Sequence, residues 1–127
     1  VFEALKTVFA VVLNAPWTFL CGVAAVISVP TRLEFRGGFM PVFIIHVRSL
    51  WWYTWMPEDK NASGWTMGNA ILLSPRAVKA DLTHELVHVE QYCRAPFVQT
   101  YLYMIESWRH DYRHNKYEVE AFTRAKN

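Results

Sequence analysis

Between Thr7 and Thr31 the chain carries no charged side chain, and this feature constrains its folding most. The stretch holds two apolar runs, residues 8–13 and 21–27. As one helix it is long enough to cross a bilayer core of about 30 Å. Pro16 lies inside it, however, and proline removes a helical hydrogen bond while excluding its predecessor from the α region. Two shorter apolar helices joined near Asn14-Ala15-Pro16 are therefore the alternative. In the first reading residues 1–31 are a membrane anchor; in the second they pack on the rest of the chain. A signal peptide fits less well, because the only basic residue ahead of the run is Lys6 and Glu3 offsets it. If the run spans, Arg32, Arg36 and Arg48 follow it, and the positive-inside tendency places the remainder in the cytoplasm.

The remaining 32–127 suit one domain with one core. Thirteen Lys plus Arg face eleven Asp plus Glu, mixed along the sequence. A nucleic-acid surface would show a clustered basic stripe, so no nucleic-acid partner is expected. Cys21 and Cys93 have no Cys-x-x-Cys spacing and read as free thiols, which suits a reducing compartment.

Residues 32–36 alternate polar and apolar and end at Gly37-Gly38, which predicts a short strand and a turn. Residues 41–47 are β-branched and aromatic and predict a more buried strand. The run Trp51-Trp52-Tyr53-Thr54-Trp55 suits a core, a membrane-interface belt or a substrate wall equally well. A polar loop over 57–64 precedes a strand over 65–73, ended by Ser74-Pro75. Helices are predicted over 77–94, over 97–108 behind Pro96, and from 116 to the end. The expected class is α+β, a small twisted sheet with helices packed on it.

The chemistry lies in His84-Glu85-Leu86-Val87-His88, an H-E-x-x-H motif inside a predicted helix. Residues four apart differ by only about 40° around a helix, so both imidazoles project from one face and can hold one metal. With His84 at zero, Val78, Leu82, Leu86, Val89 and Cys93 fall between about 120° and 200°. The core stripe is thus opposite the histidines, which face a cleft. Glu85, about 100° round, is poorly placed as a third ligand but can reach a water beside the metal.

The last predicted helix offers Glu118 and Glu120 as third ligand. Glu118 shares its face with Ala121, Phe122 and Ala125, whereas Glu120 lies with Thr123, Arg124 and Asn127 on a polar side. A glutamate on the buried face needs a partner or a metal, so Glu118 is the preferred ligand. A third histidine in the pattern H-E-x-x-H-x-x-G-x-x-H is excluded, since position 91 is Gln and position 94 is Arg. His110 and His114 read as surface residues, with an all-histidine site as the alternative. His46, in an apolar strand pattern, reads as structural.

With these residues the chain resembles the gluzincin group of zinc metallopeptidases, and most closely its small, compact members. The likeness rests on Thr66-Met67-Gly68-Asn69-Ala70-Ile71, on His84-Glu85-Leu86-Val87-His88-Val89-Glu90-Gln91-Tyr92 and on Asn115-Lys116-Tyr117-Glu118-Val119-Glu120-Ala121, within residues 32–127. It implies a minimal zincin-like fold, with a sheet over the H-E-x-x-H helix, a backing helix and a C-terminal glutamate helix. It also implies that Glu118 is the ligand and that an edge strand pairs with an extended substrate. One departure stands out: the Asp that often follows the ligand glutamate by four residues is Phe122 here, so the ligand histidines need another hydrogen-bonding partner.

The expected activity is peptide hydrolysis with one Zn2+ per chain, held by His84, His88 and Glu118, and with Glu85 as general base. A strand including Gly68, Asn69 and Ala70 is expected to bind a peptide or protein substrate. Tyr112, His110 and His114 are candidates for the oxyanion donor. Two further readings stand beside this one. One is a non-catalytic, zinc-stabilised domain at a membrane, its site closed by a fourth protein ligand. The other is a latent peptidase whose cleft holds its own N- or C-terminal segment.

Overall fold

Four helices and a mixed four-stranded sheet make up the described residues, 2–37, 41–50 and 63–126, of a computed structural model. In chain order they are α1 (Phe2–Ile27), β1 (Pro30–Arg36), β2 (Val42–Val47), β3 (Gly64–Met67), β4 (Ala70–Leu73), α2 (Lys79–Arg94), α3 (Gln99–Arg109) and α4 (Lys116–Lys126). The class is α+β, as expected. The Trp51–Trp55 run lies outside the described residues.

The sheet order is β1-β2-β4-β3; β2 and β4 run parallel and the outer pairs antiparallel. β4 is interior and every residue in it is buried, which its uninterrupted apolar sequence requires. Strand alternation then assigns two cores. Ala70 and Leu72 join Val47, Leu50, Cys21 and Ala25 against α1. Ile71 and Leu73 join Val42, Ile44 and Val89, with Leu82, Leu86 and Cys93 of α2 packed beside them. The predicted α2 stripe is therefore realised except at Val78, which precedes the helix and is exposed. There its N–H donates to Asp81 Oδ2 at 2.8 Å.

Two expectations change. Residues 65–73 are not one strand: Gly68, with φ of 64°, turns the chain into a β3–β4 hairpin. A Cβ at position 68 would stand 2.4 Å from Thr18 Oγ1, so glycine allows both the turn and the close approach of α1. Nor does Pro16 divide the apolar run, since α1 is continuous from Phe2 to Ile27. Proline removes the bond to the Val12 carbonyl, but side chains on either side tie the helix to the domain. Asn14, fully buried, donates from Nδ2 to Tyr92 O at 3.0 Å and to Asn69 Oδ1 at 3.4 Å. Its Oδ1 accepts from Phe97 N at 2.9 Å. Trp17 Nε1 donates to Phe97 O at 2.7 Å. Both peptide groups of Phe97, a non-glycine residue with φ of 69°, are thus held by α1.

α1 supplies one layer of the core through Cys21 and Ala25. Asn14→Leu would leave the buried Tyr92 carbonyl and the part-buried Phe97 N–H without these partners, and one buried orphan costs roughly 1–3 kcal/mol. A denaturant melt of the variant is expected to show a loss of that size.

Candidate metal centre

His84 and His88 stand one turn apart on α2, with their Nε2 atoms 3.2 Å from each other. Glu118 Oε1 of α4 lies 2.9 Å from His84 Nε2 and 3.1 Å from His88 Nε2. All three residues are buried, and the three donor atoms form the one such His/Cys/Asp/Glu group among the described residues. Glu118 reaches α2 because Ala121, fully buried on the same face of α4, seats that helix there. Phe122 does not orient a ligand by hydrogen bonding; its ring packs on His84 with centroids 4.3 Å apart.

The missing orienting bond comes from α2 itself. His88 Nδ1 donates to Gln91 Oε1 at 2.9 Å, which leaves Nε2 turned toward Glu118. Gln91 is fixed in turn: its Nε2 donates to Tyr117 O at 3.0 Å and to Glu120 Oε1 at 2.8 Å. Arg94 Nη2 donates to the same Glu120 oxygen at 2.6 Å. Glu120 is thus a support for Gln91, and Glu118 is the glutamate that joins the histidines. From α3, Tyr103 OH donates to Glu118 Oε2.

Burial alone would raise the Glu118 carboxyl, but the bonds to His84 and His88 outweigh it and hold this acid well below the usual carboxylate range. Burial likewise disfavours charge on His88, yet Glu118 outweighs it and raises the imidazole to about 9. The metal-free site is therefore an ion pair holding a proton that a metal must displace. Because the His88 pKa is raised above 6.5, the stability this proton confers is complete below about pH 6.5 and is lost as pH rises through 9. Zinc affinity runs the opposite way. It is expected to rise about tenfold per pH unit up to pH 9, with one proton released on binding, as calorimetry in buffers of different ionisation heat would show.

Two imidazole nitrogens and one carboxylate oxygen are a zinc donor set. Tetrahedral ligands at about 2.0–2.1 Å stand roughly 3.3 Å apart, within a few tenths of an ångström of the separations here, so the residues fit the ion. His110 and His114 lie elsewhere: they are exposed, His110 paired with Glu106 and His114 with Asp111. His46 sits on β2 beside Glu34 and Arg32. Among the described residues no further His, Cys, Asp or Glu joins the group as a fourth donor. Gln91→Leu removes the bond that orients His88, and a loss of roughly 10–100-fold in zinc affinity is expected in a competition titration.

The donors open on a cleft of about 320 Å³ between β3, α2, α3 and α4. Glu85 is buried in its wall and is not a donor of the group. Thr66 Oγ1 on β3 donates to Glu85 Oε1 at 2.6 Å. A Cβ at Gly64 would lie 2.9 Å from Glu85 Cγ and 3.1 Å from Oε2, so glycine leaves room for the carboxylate. Burial raises this acid above its ordinary value, with the nearby histidines opposing.

The strand expected to bind substrate is divided by the turn at Gly68. Gly68 and Asn69 form the hairpin turn against α1, and Ala70 is on the interior strand β4, so none offers a free edge. Among the described strands the edge beside the cleft is β3, whose residues 64–67 line it. Tyr112 lines the cleft too, and no residue of α1 does, so α1 does not fill it. Sequence reasoning missed Gly64, read as loop, and the roles of Thr66, Gln91 and Tyr103. Gln91 had a signal in its spacing of three from His88. Tyr103 had none, since its place depends on how α3 docks. Comparison of the chain with protein-family models, curated proteins and solved structures finds no match.

Proposed function

We propose that the chain is a zinc-dependent peptidase of the minimal zincin kind, with Glu85 as general base. The observation that carries this reading is Glu85, a carboxylate buried beside the metal donors yet left out of them. His84, His88 and Glu118 would hold the ion. Zinc in that position supplies Lewis-acid polarisation of a scissile carbonyl and acidifies a water. Glu85 takes the proton of the attacking water on a carboxylate oxygen and delivers it to the leaving amine. Thr66 holds one of its oxygens by hydrogen bond, which fixes the direction of the transfer. Burial raises the proton affinity of Glu85, against the opposing pull of the histidines, which makes it a stronger base than an exposed carboxylate.

Among the described residues β3 pairs with β4 on one side only, so an extended peptide can add to its other side as a further strand. Of the donors first considered for the developing oxyanion, Tyr112 is the one that lines the cleft. A closed structural site would need a fourth protein ligand, and the described residues offer three donors. The full chain loaded with zinc is expected to carry about one ion and to release new amino termini from an unfolded polypeptide. Zinc retained without any new termini would favour a non-catalytic, metal-stabilised domain.

A further inference from the structure

α1 is long and apolar enough to cross a membrane, yet only 28% of its most apolar stretch is buried. A soluble core helix would be covered. On its outer side Val8, Phe9, Val12, Ala15, Pro16, Phe19, Leu20, Val23, Val26 and Ile27 are all exposed, and none carries a polar side-chain atom. A second charge-free stretch, residues 95–105, leads into and forms most of α3. Tyr101, Leu102, Met104, Ile105 and Trp108 are exposed there, Trp108 by 89%. The two helices meet at Trp17, whose ring packs on Phe97 at 5.7 Å and on Tyr101 at 5.6 Å.

We infer that the outer faces of α1 and α3 form one surface that lies in a lipid bilayer, with α1 along the membrane and not across it. A protein partner is recognised through hydrogen bonds and charges as well as apolar contact, and beyond the Glu3–Lys6 pair in its first turns the exposed side chains of α1 offer neither. Lipid tails require none, and an apolar surface of this extent on a monomer needs a cover. A crossing helix is excluded by its packing. Asn14, midway along α1, is bonded to Tyr92 and Phe97, and between them Arg94 pairs with Glu120. Crossing would carry that charged pair to the depth of the bilayer centre.

Met104 belongs both to this surface and to the lining of the cleft. If the peptidase reading holds, the cleft therefore opens beside the lipid and takes polypeptide presented at a bilayer surface.

The test is co-flotation of the full chain with phosphatidylcholine vesicles, in wild type, Phe19→Glu and the double variant Ile105→Glu/Trp108→Glu. These positions are exposed, and unchanged melting temperatures control for folding. Wild type is expected to float, and each variant to partition about tenfold or more less strongly. Full flotation of the α3 variant would overturn the shared surface in favour of α1 as a lone anchor. Absence of flotation, with a dimer in sedimentation that the same substitutions dissociate, would assign the face to a second copy. Flotation does not need catalysis, so Glu85→Gln must float like wild type even if no peptide is ever cleaved. For the active enzyme, a vesicle-tethered peptide is expected to be cut faster than the same peptide free, and the α3 variant to lose that preference; equal rates in wild type would overturn the substrate assignment alone.

Discussion

Glu85→Gln is expected to keep zinc at wild-type stoichiometry and to lower peptide cleavage by about 10²–10⁴-fold, the range that a positioned general base contributes. The side chain keeps its shape, so Thr66 can still donate to the oxygen that replaces Oε1. What disappears is the ability to hold a proton. Metal content must therefore be measured on the protein used for kinetics, because a variant that also lost zinc would report on the site and not on the base. Cleavage within a fewfold of wild type by the zinc-loaded variant would remove Glu85 from the chemistry.

Glu118→Gln is expected to have the largest effect on the metal. Glu118 is the one anionic member of the donor group and lies within 3.1 Å of both imidazole nitrogens. A neutral amide in its place leaves two histidines for zinc. The fall in affinity should exceed the roughly 10–100-fold produced when only an outer hydrogen-bonding partner is lost. Glu120→Gln provides the contrast, because Glu120 touches Gln91 and Arg94 and not the donors; its effect should stay within that smaller range. Equal losses from the two variants in a zinc competition titration would mean that the phase of α4 does not select the ligand. Circular dichroism separates metal loss from unfolding.

Much of the site was legible in the sequence because it depends on local periodicity. The spacing of His84 and His88 puts them on one face of any helix, and the phase of Ala121 and Phe122 turns Glu118 inward; both arrangements are found here. Partners contributed by other elements were not legible. Tyr103 reaches Glu118 only because α3 docks behind α4's first turn, and Thr66 reaches Glu85 only because β3 lies over α2. Gly68 shows the same limit from another side. The sequence places it in a strand expected to bind substrate, whereas what approaches it is α1. The apolar run itself yielded its helix but not its setting. Composition gives the length and the lack of charge, and it cannot indicate that one narrow stripe, Ala10, Asn14, Cys21, Ala25 and Ser28, would be buried along the sheet.

The central claim is a metal held by three side chains of this protein with a place left for the reacting water. X-ray absorption at the zinc edge of the loaded full chain counts those ligands directly. Two imidazoles and two further oxygen donors, one of them from solvent, are the predicted set. Three imidazoles, or any sulfur, would contradict it.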